Sequence, residues 1–150
     1  LAMDEFGLHP RLAADSHLLL DLPLCQLRRM RDARWLWLLL VPRLADRREL
    51  TDLDAMQQAQ LMREIDLSSR LLLQIAKPTK LNTAALGNIV EQLHVHVVAR
   101  HVGDAAWPGP IWGVGQAESR DDTFWVDERQ QLLAALTSLA KPGELAISAP

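Results

Sequence analysis

The chain alternates strictly between polar and apolar residues along Gln92-Leu93-His94-Val95-His96-Val97. In an extended strand, side chains two residues apart project to the same side and lie about 6.6 Å apart along the axis. The pattern therefore predicts a strand over residues 89–99, with one apolar face turned to the core. The opposite face carries a carboxamide and two imidazoles, so these three side chains can line one groove.

The first half of the chain predicts a small sheet followed by a long helix. Three strands joined by short connections are expected as an antiparallel meander, at residues 17–20, 25–30 and 35–41. Thr51 is a good N-cap, with Asp54 three residues later, and predicts a helix over residues 52–75 that covers one face of the sheet. Met56 falls on the apolar stripe of that helix and is expected to fill the core.

The remainder of the chain predicts a short strand or loop over residues 81–86 and a closing helix over 126–140. We find no internal repeat and no linker rich enough to mark a domain boundary. The sequence therefore predicts an α+β fold in a single domain over residues 1–150. Its architecture is an antiparallel sheet with one long helix and a C-terminal helix.

The composition is typical of a globular protein that folds without disulfide bonds. Hydrophobic residues make up 49% of the 150 residues and charged residues 23%. The single cysteine, Cys25, cannot form an internal disulfide, which favours a reducing cytoplasm. The longest apolar run, residues 35–41, is far shorter than the about 20 residues needed to cross a bilayer, and the sequence shows no secretory leader pattern.

Charge is unevenly distributed although the formal net charge is only −3. Residues 28–48 contain seven arginines and two aspartates, whereas acidic residues dominate later. A chain with one basic stretch lacks the broad positive field of proteins that bind extended nucleic acid, but it suits a local phosphate or carboxylate site. For most of these arginines we expect a solvated strand edge or hairpin.

The chemistry of Gln92, His94 and His96 suits a phosphoryl or nucleotidyl group. Near neutral pH an imidazole serves as nucleophile, proton shuttle or metal ligand, while a carboxamide donates and accepts hydrogen bonds without changing charge. A metal site that uses His94, His96 and His101 is an alternative, although no neighbouring acid or cysteine completes it.

The segment from Gln92 to Val98 resembles the signature of the histidine triad (HIT) superfamily, His-φ-His-φ-His-φ-φ, in which φ is apolar. Trp-Leu-Leu-Leu-Val-Pro-Arg at 37–43 resembles the strand that precedes the family's long helix. Further similarities, in the family's order, are Asn82, Gly87 with Asn88, and Trp-Pro-Gly-Pro at 107–110. The resemblance covers about residues 17–113 and leaves 114–150 as a C-terminal extension.

The resemblance identifies the chain as a member of a bacterial HIT branch with a Gln-x-His-x-His variant of the triad. In this register it implies that His94 is the nucleophile that attacks an α-phosphorus and forms a covalent nucleotidyl-histidine. It implies that His96 contacts the α-phosphate and assists the leaving group, and that Gln92 orients His94. An alternative register that starts at His94 leaves Val98 at the last triad position, where it cannot bind phosphate.

The resemblance also implies nucleotide-binding residues outside the triad. Asn82, Gly87 and Asn88 are expected near the phosphate, although each Asn taken alone is more typical of a turn residue. Family analogy places the nucleoside between the early strands and makes candidates of three residues: Leu27, Asp32 and Leu39.

The predicted function is hydrolysis or nucleotidyl transfer at the α-phosphate of a purine nucleotide or dinucleotide polyphosphate, with AMP or GMP as the bound mononucleotide. No resident cofactor is required, and a divalent metal enters only with the nucleotide. A homodimer is expected from the resemblance, and the single cysteine favours the cytoplasm. The alternative is a nucleotide-binding protein with little or no turnover, because a fold does not secure an activity.

Overall fold

The computed structural model describes residues 5–146 and contains five strands and three α-helices within that range. The helices are α1 (Pro10–Asp15), α2 (Ala55–Ala76) and α3 (Asp122–Leu139), and the strands are β1 (Ser16–Asp21), β2 (Cys25–Met30), β3 (Trp37–Pro42), β4 (Lys80–Ala84) and β5 (Val95–Arg100). All pairs are antiparallel, in the order β1-β2-β3-β5-β4. The predicted α+β class and the meander of β1, β2 and β3 are confirmed.

Helix α2 covers one face of the sheet and forms the main core there. Its buried leucines pack with side chains from the facing positions of the strands, including Leu38 and Leu40 of β3 and Val95 and Val97 of β5. Because side chains alternate along a strand, the intervening residues of β3 and β5 point to the other face. That second face carries the groove described below.

The start of α2 differs from the prediction. Asp54, not Thr51, caps the helix: Asp54 Oδ1 accepts from the Gln57 amide at 2.8 Å, and Gln57 Oε1 accepts from the Asp54 amide at 2.9 Å. This reciprocal capping box satisfies two backbone donors, whereas Thr51 lies in the preceding 3-10 turn Leu50–Asp52. Met56 lies in the first turn of the helix, to one side of the buried stripe, and is 83% exposed, so its predicted core role is wrong.

The strand predicted over residues 89–99 begins only at Val95. Pairing with β3 extends from Trp37 opposite Val98 to Leu40 opposite Val95, and pairing with β4 ends at Ala84 opposite His96. Before that point the chain leaves the ladder, since the Leu93 amide donates to the Arg47 carbonyl. His94 therefore lies immediately before the first residue of β5, where a loop joins the sheet.

Two arginines predicted at a solvated edge are buried within the sheet. Strand β2 is internal, and Arg28 and Arg29 are only 7% and 2% exposed. Arg29 makes two bonds to the Glu128 carboxylate on α3, at 2.7 and 3.2 Å, and lies 5.1 Å from the centre of the Trp125 ring. This buried pair attaches α3 to the sheet.

Within residues 5–146, no helix is long and apolar enough to cross a membrane.

Glu64 joins α2 to the start of β2. Its carboxylate accepts from the Leu24 amide at 3.0 Å, from the Cys25 amide at 2.8 Å and from Gln60 Nε2 at 2.8 Å, and the residue is 1% exposed. Burial raises the pKa of Glu64. Burial, with Glu64 nearby, also raises the pKa of the Cys25 thiol, so Cys25 stays protonated at neutral pH.

We predict that Glu64→Ala lowers the free energy of unfolding by about 2–6 kcal/mol, because it leaves two buried amides unpaired at about 1–3 kcal/mol each. Denaturant unfolding measures the change. Met62→Ala, at an exposed position of the same helix, is the control and should stay within about 0.5 kcal/mol of the wild type. Equal unfolding midpoints for the two variants would contradict this account of Glu64.

Candidate active site

His94 and His96 lie side by side on the sheet face opposite α2. Their ring centres are 5.0 Å apart, and both side chains line a groove of about 420 Å³. Strands β2 and β3 contribute to it, together with α1, the loop before β5 and the loop after β5. The residues that line it include Arg11, Leu12, Asp15, Met30, Trp37, Gly87, Asn88 and Trp112.

The His94 ring is held by the backbone two residues before it. Its Nδ1 lies 2.6 Å from the Gln92 carbonyl oxygen. A carbonyl only accepts, so Nδ1 carries the proton and Nε2 keeps a free lone pair. Burial lowers the pKa of His94, the Gln92 carbonyl partly opposes that effect, and His9 adds to it. His94 is therefore neutral at pH 7, with a bare Nε2.

The His96 ring has the opposite tautomer. Trp37 Nε1, which only donates, bonds to His96 Nδ1 at 2.9 Å. The proton of the neutral ring therefore lies on Nε2. Burial, reinforced by the neighbouring His94, lowers the pKa of His96 to about 3. At neutral pH His96 offers an uncharged N–H donor beside the free lone pair of His94.

Trp37 is a site residue that the sequence analysis does not identify. Its ring centre lies 5.6 Å from that of His96 and 6.4 Å from that of Trp112, which itself lies 5.4 Å from His96. Leu39 lies opposite His96 in the pairing of β3 with β5, so the two side chains share one face of the sheet. Trp37 lies two residues before Leu39 and therefore points to the same face, which alternation along β3 could have indicated.

The Gln92 side chain makes no hydrogen bond to His94 or His96. Its Oε1 accepts from the His9 amide at 2.8 Å and its Nε2 donates to the Gly7 carbonyl at 2.8 Å. The orienting contact on His94 thus comes from the main chain of Gln92, where the sequence suggested its carboxamide.

The residues expected near the phosphate divide into two groups. Gly87 and Asn88 line the groove with both histidines, and Gly87 has φ +78°, a backbone conformation that favours glycine. Asn82 lies on β4, where its Oδ1 accepts from Arg100 Nη1 at 2.7 Å. Arg100 in turn makes two bonds to Asp104 and one to the Gly109 carbonyl. Asn82 thus helps to anchor the loop after β5.

The three nucleoside candidates lie in different places. Leu39 is fully buried beneath the groove, where it packs with Leu12 and Val90. Leu27 faces the other way, into the core under α2, because it occupies the opposite parity on β2. The structure therefore separates Leu27 from the groove.

Asp32 lines a neighbouring pocket, which shares Met30, Trp37 and Trp112 with the groove. Its carboxylate accepts from the Arg34 side chain and from the amides of Arg34 and Glu118. Burial opposes ionisation of Asp32, but these hydrogen bonds outweigh it and lower its pKa. The bonds fasten the turn between β2 and β3 to the later loop.

His101, the third ligand of the alternative metal site, lies away from the groove. Its Nε2 bonds to the Ala76 carbonyl at the end of α2. Across residues 5–146, we find no group of three His, Cys, Asp or Glu side chains placed to hold a metal ion.

We predict that Trp37→Phe releases the His96 tautomer, because phenylalanine keeps an aromatic ring but has no donor for Nδ1. Nitrogen NMR of the histidine rings measures the protonation of each nitrogen. We expect an unprotonated Nδ1 in the wild type and a mixture of tautomers in the variant. Trp112→Phe is the control, since Trp112 contacts the His96 ring without a hydrogen bond to it. An unchanged His96 spectrum in Trp37→Phe would contradict the assignment.

Comparisons with known proteins agree with this geometry. The family model described as HIT domain matches residues 11–103. A histidine triad protein from Bradyrhizobium japonicum is 48% identical, with 95% of this chain and 99% of that chain covered and a TM-score of 0.82. Another from Marinobacter aquaeolei is 40% identical, with 91% and 99% covered and a TM-score of 0.86.

A third, from Sinorhizobium meliloti, is 42% identical, with 93% of this chain and 100% of that chain covered and a TM-score of 0.83. No curated protein matches the chain. The family model spans more than half of the chain, and the three solved structures are at least 40% identical over nearly all of it, so the chain belongs to the histidine triad family.

Proposed function

We propose that the protein is a nucleotide hydrolase or nucleotidyl transferase that acts at the α-phosphate through a covalent intermediate on His94. The observation that carries the proposal is the opposite tautomers of the two adjacent rings. His94 Nε2 is a free nucleophile because Nδ1 bonds the Gln92 carbonyl, and His96 Nε2 is a donor because Trp37 occupies Nδ1. Nucleophilic catalysis needs such a pair, one group to attack and one to stabilise charge.

In the proposed first step, the lone pair of His94 Nε2 attacks the α-phosphorus. A phosphorus–nitrogen bond forms, and the bond from phosphorus to the leaving group breaks with its electron pair. The ring becomes cationic while its Nδ1–H remains bonded to the Gln92 carbonyl, which stabilises that charge. His96 Nε2–H donates to a phosphate oxygen or to the leaving group.

In the second step, water or another acceptor attacks the same phosphorus and releases a proton to solvent, which balances the proton that the departed group takes up. The phosphorus–nitrogen bond breaks, its electron pair returns to Nε2, and the mononucleotide or the transferred product is released. The two displacements consume one acceptor and regenerate neutral His94, so the cycle needs no resident cofactor. A divalent metal would enter only with the nucleotide.

The groove supports a purine nucleotide or dinucleotide polyphosphate as the substrate class, with AMP or GMP as the bound product. Leu12 of α1 and Met30 of β2 give it apolar lining, and Gly87 and Asn88 line it together with the histidines. We place the nucleoside along the apolar wall and the phosphate between His94 and His96. The cytoplasmic location of the protein and its single-domain organisation remain predictions.

A homodimer also remains a prediction. Sedimentation at micromolar concentration tests it: a species of twice 16.8 kDa is expected, and a monomer at every concentration would contradict it.

We predict that His94→Ala reduces turnover by about 10⁴-fold or more and abolishes the covalent adduct, since it removes the nucleophile. His96→Ala should slow the reaction by about 10²–10³-fold and weaken phosphate binding, while the adduct still forms. Rapid quench with an adenylated substrate, followed by mass spectrometry of the intact protein, measures both.

His101→Ala is the matched control, because His101 lies outside the groove, and it should retain the wild-type rate. Full activity in His94→Ala, with activity lost to chelators and in His101→Ala, would replace the covalent route by metal-activated water. Tight mononucleotide binding without an adduct or turnover in the wild type would establish the alternative, a binding protein.

We predict that kcat/KM rises with pH through a midpoint below 6.5 and is flat near neutrality. A protonated imidazole has no lone pair on Nε2, and burial lowers the pKa of His94 below its ordinary value of 6.5. Initial rates from about pH 5 to 8 with a dinucleotide polyphosphate measure the profile of the free enzyme. A midpoint above 6.5 would contradict the neutral His94.

A further inference from the structure

The Gln92 carboxamide makes two long-range hydrogen bonds that the proposed chemistry does not use. It accepts from the His9 amide and donates to the Gly7 carbonyl, both at 2.8 Å. We propose that Gln92 is a positioning residue that fastens residues 6–15, the N-terminal segment, in place as one wall of the nucleotide groove. As a statement about substrate affinity, the inference rests on the proposed function.

The two bonds fix the position of the segment at its start. His9 is the N-cap of α1: its Nδ1 accepts from the Arg11 amide at 3.1 Å, and Pro10 begins the helix. Gln92 therefore holds the backbone on the residue that sets where α1 begins. A shift of His9 would move the whole of this short helix.

The remainder of the segment packs apolar side chains against the sheet. Phe6, Leu8 and Leu12 pack in a cluster with Leu39, Val41 and Val90, on the face that carries the histidines. Farther along, Arg11, Leu12 and Asp15 reach the groove itself. The segment thus supplies a wall with an apolar centre and two charged ends.

Among the side chains that could occupy position 92, a carboxamide suits this contact. It presents a donor and an acceptor side by side on one planar group, which matches the Gly7 carbonyl and the His9 amide. The two ring nitrogens of a neutral histidine point in divergent directions, and glutamate has no donor when ionised. This requirement gives a physical reason for Gln92 at the first position of the triad.

Main chain and side chain of Gln92 consequently have separate roles. The carbonyl holds His94 Nδ1 whatever the side chain is, whereas the carboxamide holds the N-terminal segment. A change of side chain should therefore alter nucleotide affinity more than the chemical step.

The test compares Gln92→Ala and Gln92→Glu with the wild type. In Gln92→Ala, backbone amides of residues 6–15 should exchange with deuterium about tenfold faster, while those in the middle of α2 keep their protection. The Kd of AMP and the KM should rise about tenfold, and kcat should fall by no more than about threefold. Gln92→Glu, which keeps one acceptor, should lie between Gln92→Ala and the wild type in both readouts.

A double-mutant cycle shows whether the effect passes through the segment. His9→Pro removes the amide donor, and the φ of −55° at His9 suits proline. His9→Asn is its control, because it keeps both the amide and a side-chain acceptor for the helix cap. In the His9→Pro background, Gln92→Ala should raise Kd by less than about threefold.

Unchanged deuterium exchange in Gln92→Ala would overturn the proposal. So would a fall in kcat with no change in KM, or an undiminished effect of Gln92→Ala in His9→Pro. The exchange measurement needs no ligand, so it decides the role of Gln92 even if the wild type binds no nucleotide. Failure of the wild type to bind nucleotide would instead contradict the proposed function.

Discussion

The register of β3 against β5 decides which side of the sheet carries the chemistry. Leu39 lies opposite His96, and the pairing continues through Val97 and Val98. Because side chains alternate, a slip of one residue would turn His96 toward α2 and expose valines in its place. The apolar parity of β5, which packs Val95 and Val97 beneath α2, makes that slip costly. Core packing and active-site geometry thus depend on one pairing.

Buried ion pairs then bring distant loops to the groove. Asp104 is bound by Arg100, whose hydrogen bond holds the pKa of that carboxyl well below its usual range. This pair anchors the loop that leads to Trp112 on His96. The bonds from Arg34 to Asp32 and to the Val114 carbonyl fix the far end of the same loop. Three arginines of the basic stretch are thus engaged inside the fold: Arg28 binds Ser16, Arg29 binds Glu128 and Arg34 binds Asp32.

Local patterns predicted the elements well, and long-range contacts account for most of what they missed. Strand β2 has the predicted bounds, and the histidines share a face as alternation required. Thr51 and Asp54 are both good N-cap residues by type, and only the reciprocal hydrogen bonds between Asp54 and Gln57 distinguish them. The pairing of Arg29 with Glu128 joins residues 99 positions apart, which no local pattern reveals. The alternation of side chains along β2 places Leu27 on the core face, whereas the family analogy favours a position in the nucleoside site.

In the proposed mechanism the Gln92 carbonyl holds Nδ1 of His94 and thereby leaves Nε2 as the attacking atom. The nitrogen that carries the nucleotidyl group in the quenched intermediate can be identified by peptide mapping and NMR of the modified histidine. We expect one adduct, on Nε2 of His94. An adduct on Nδ1 of His94, or on His96, would contradict it.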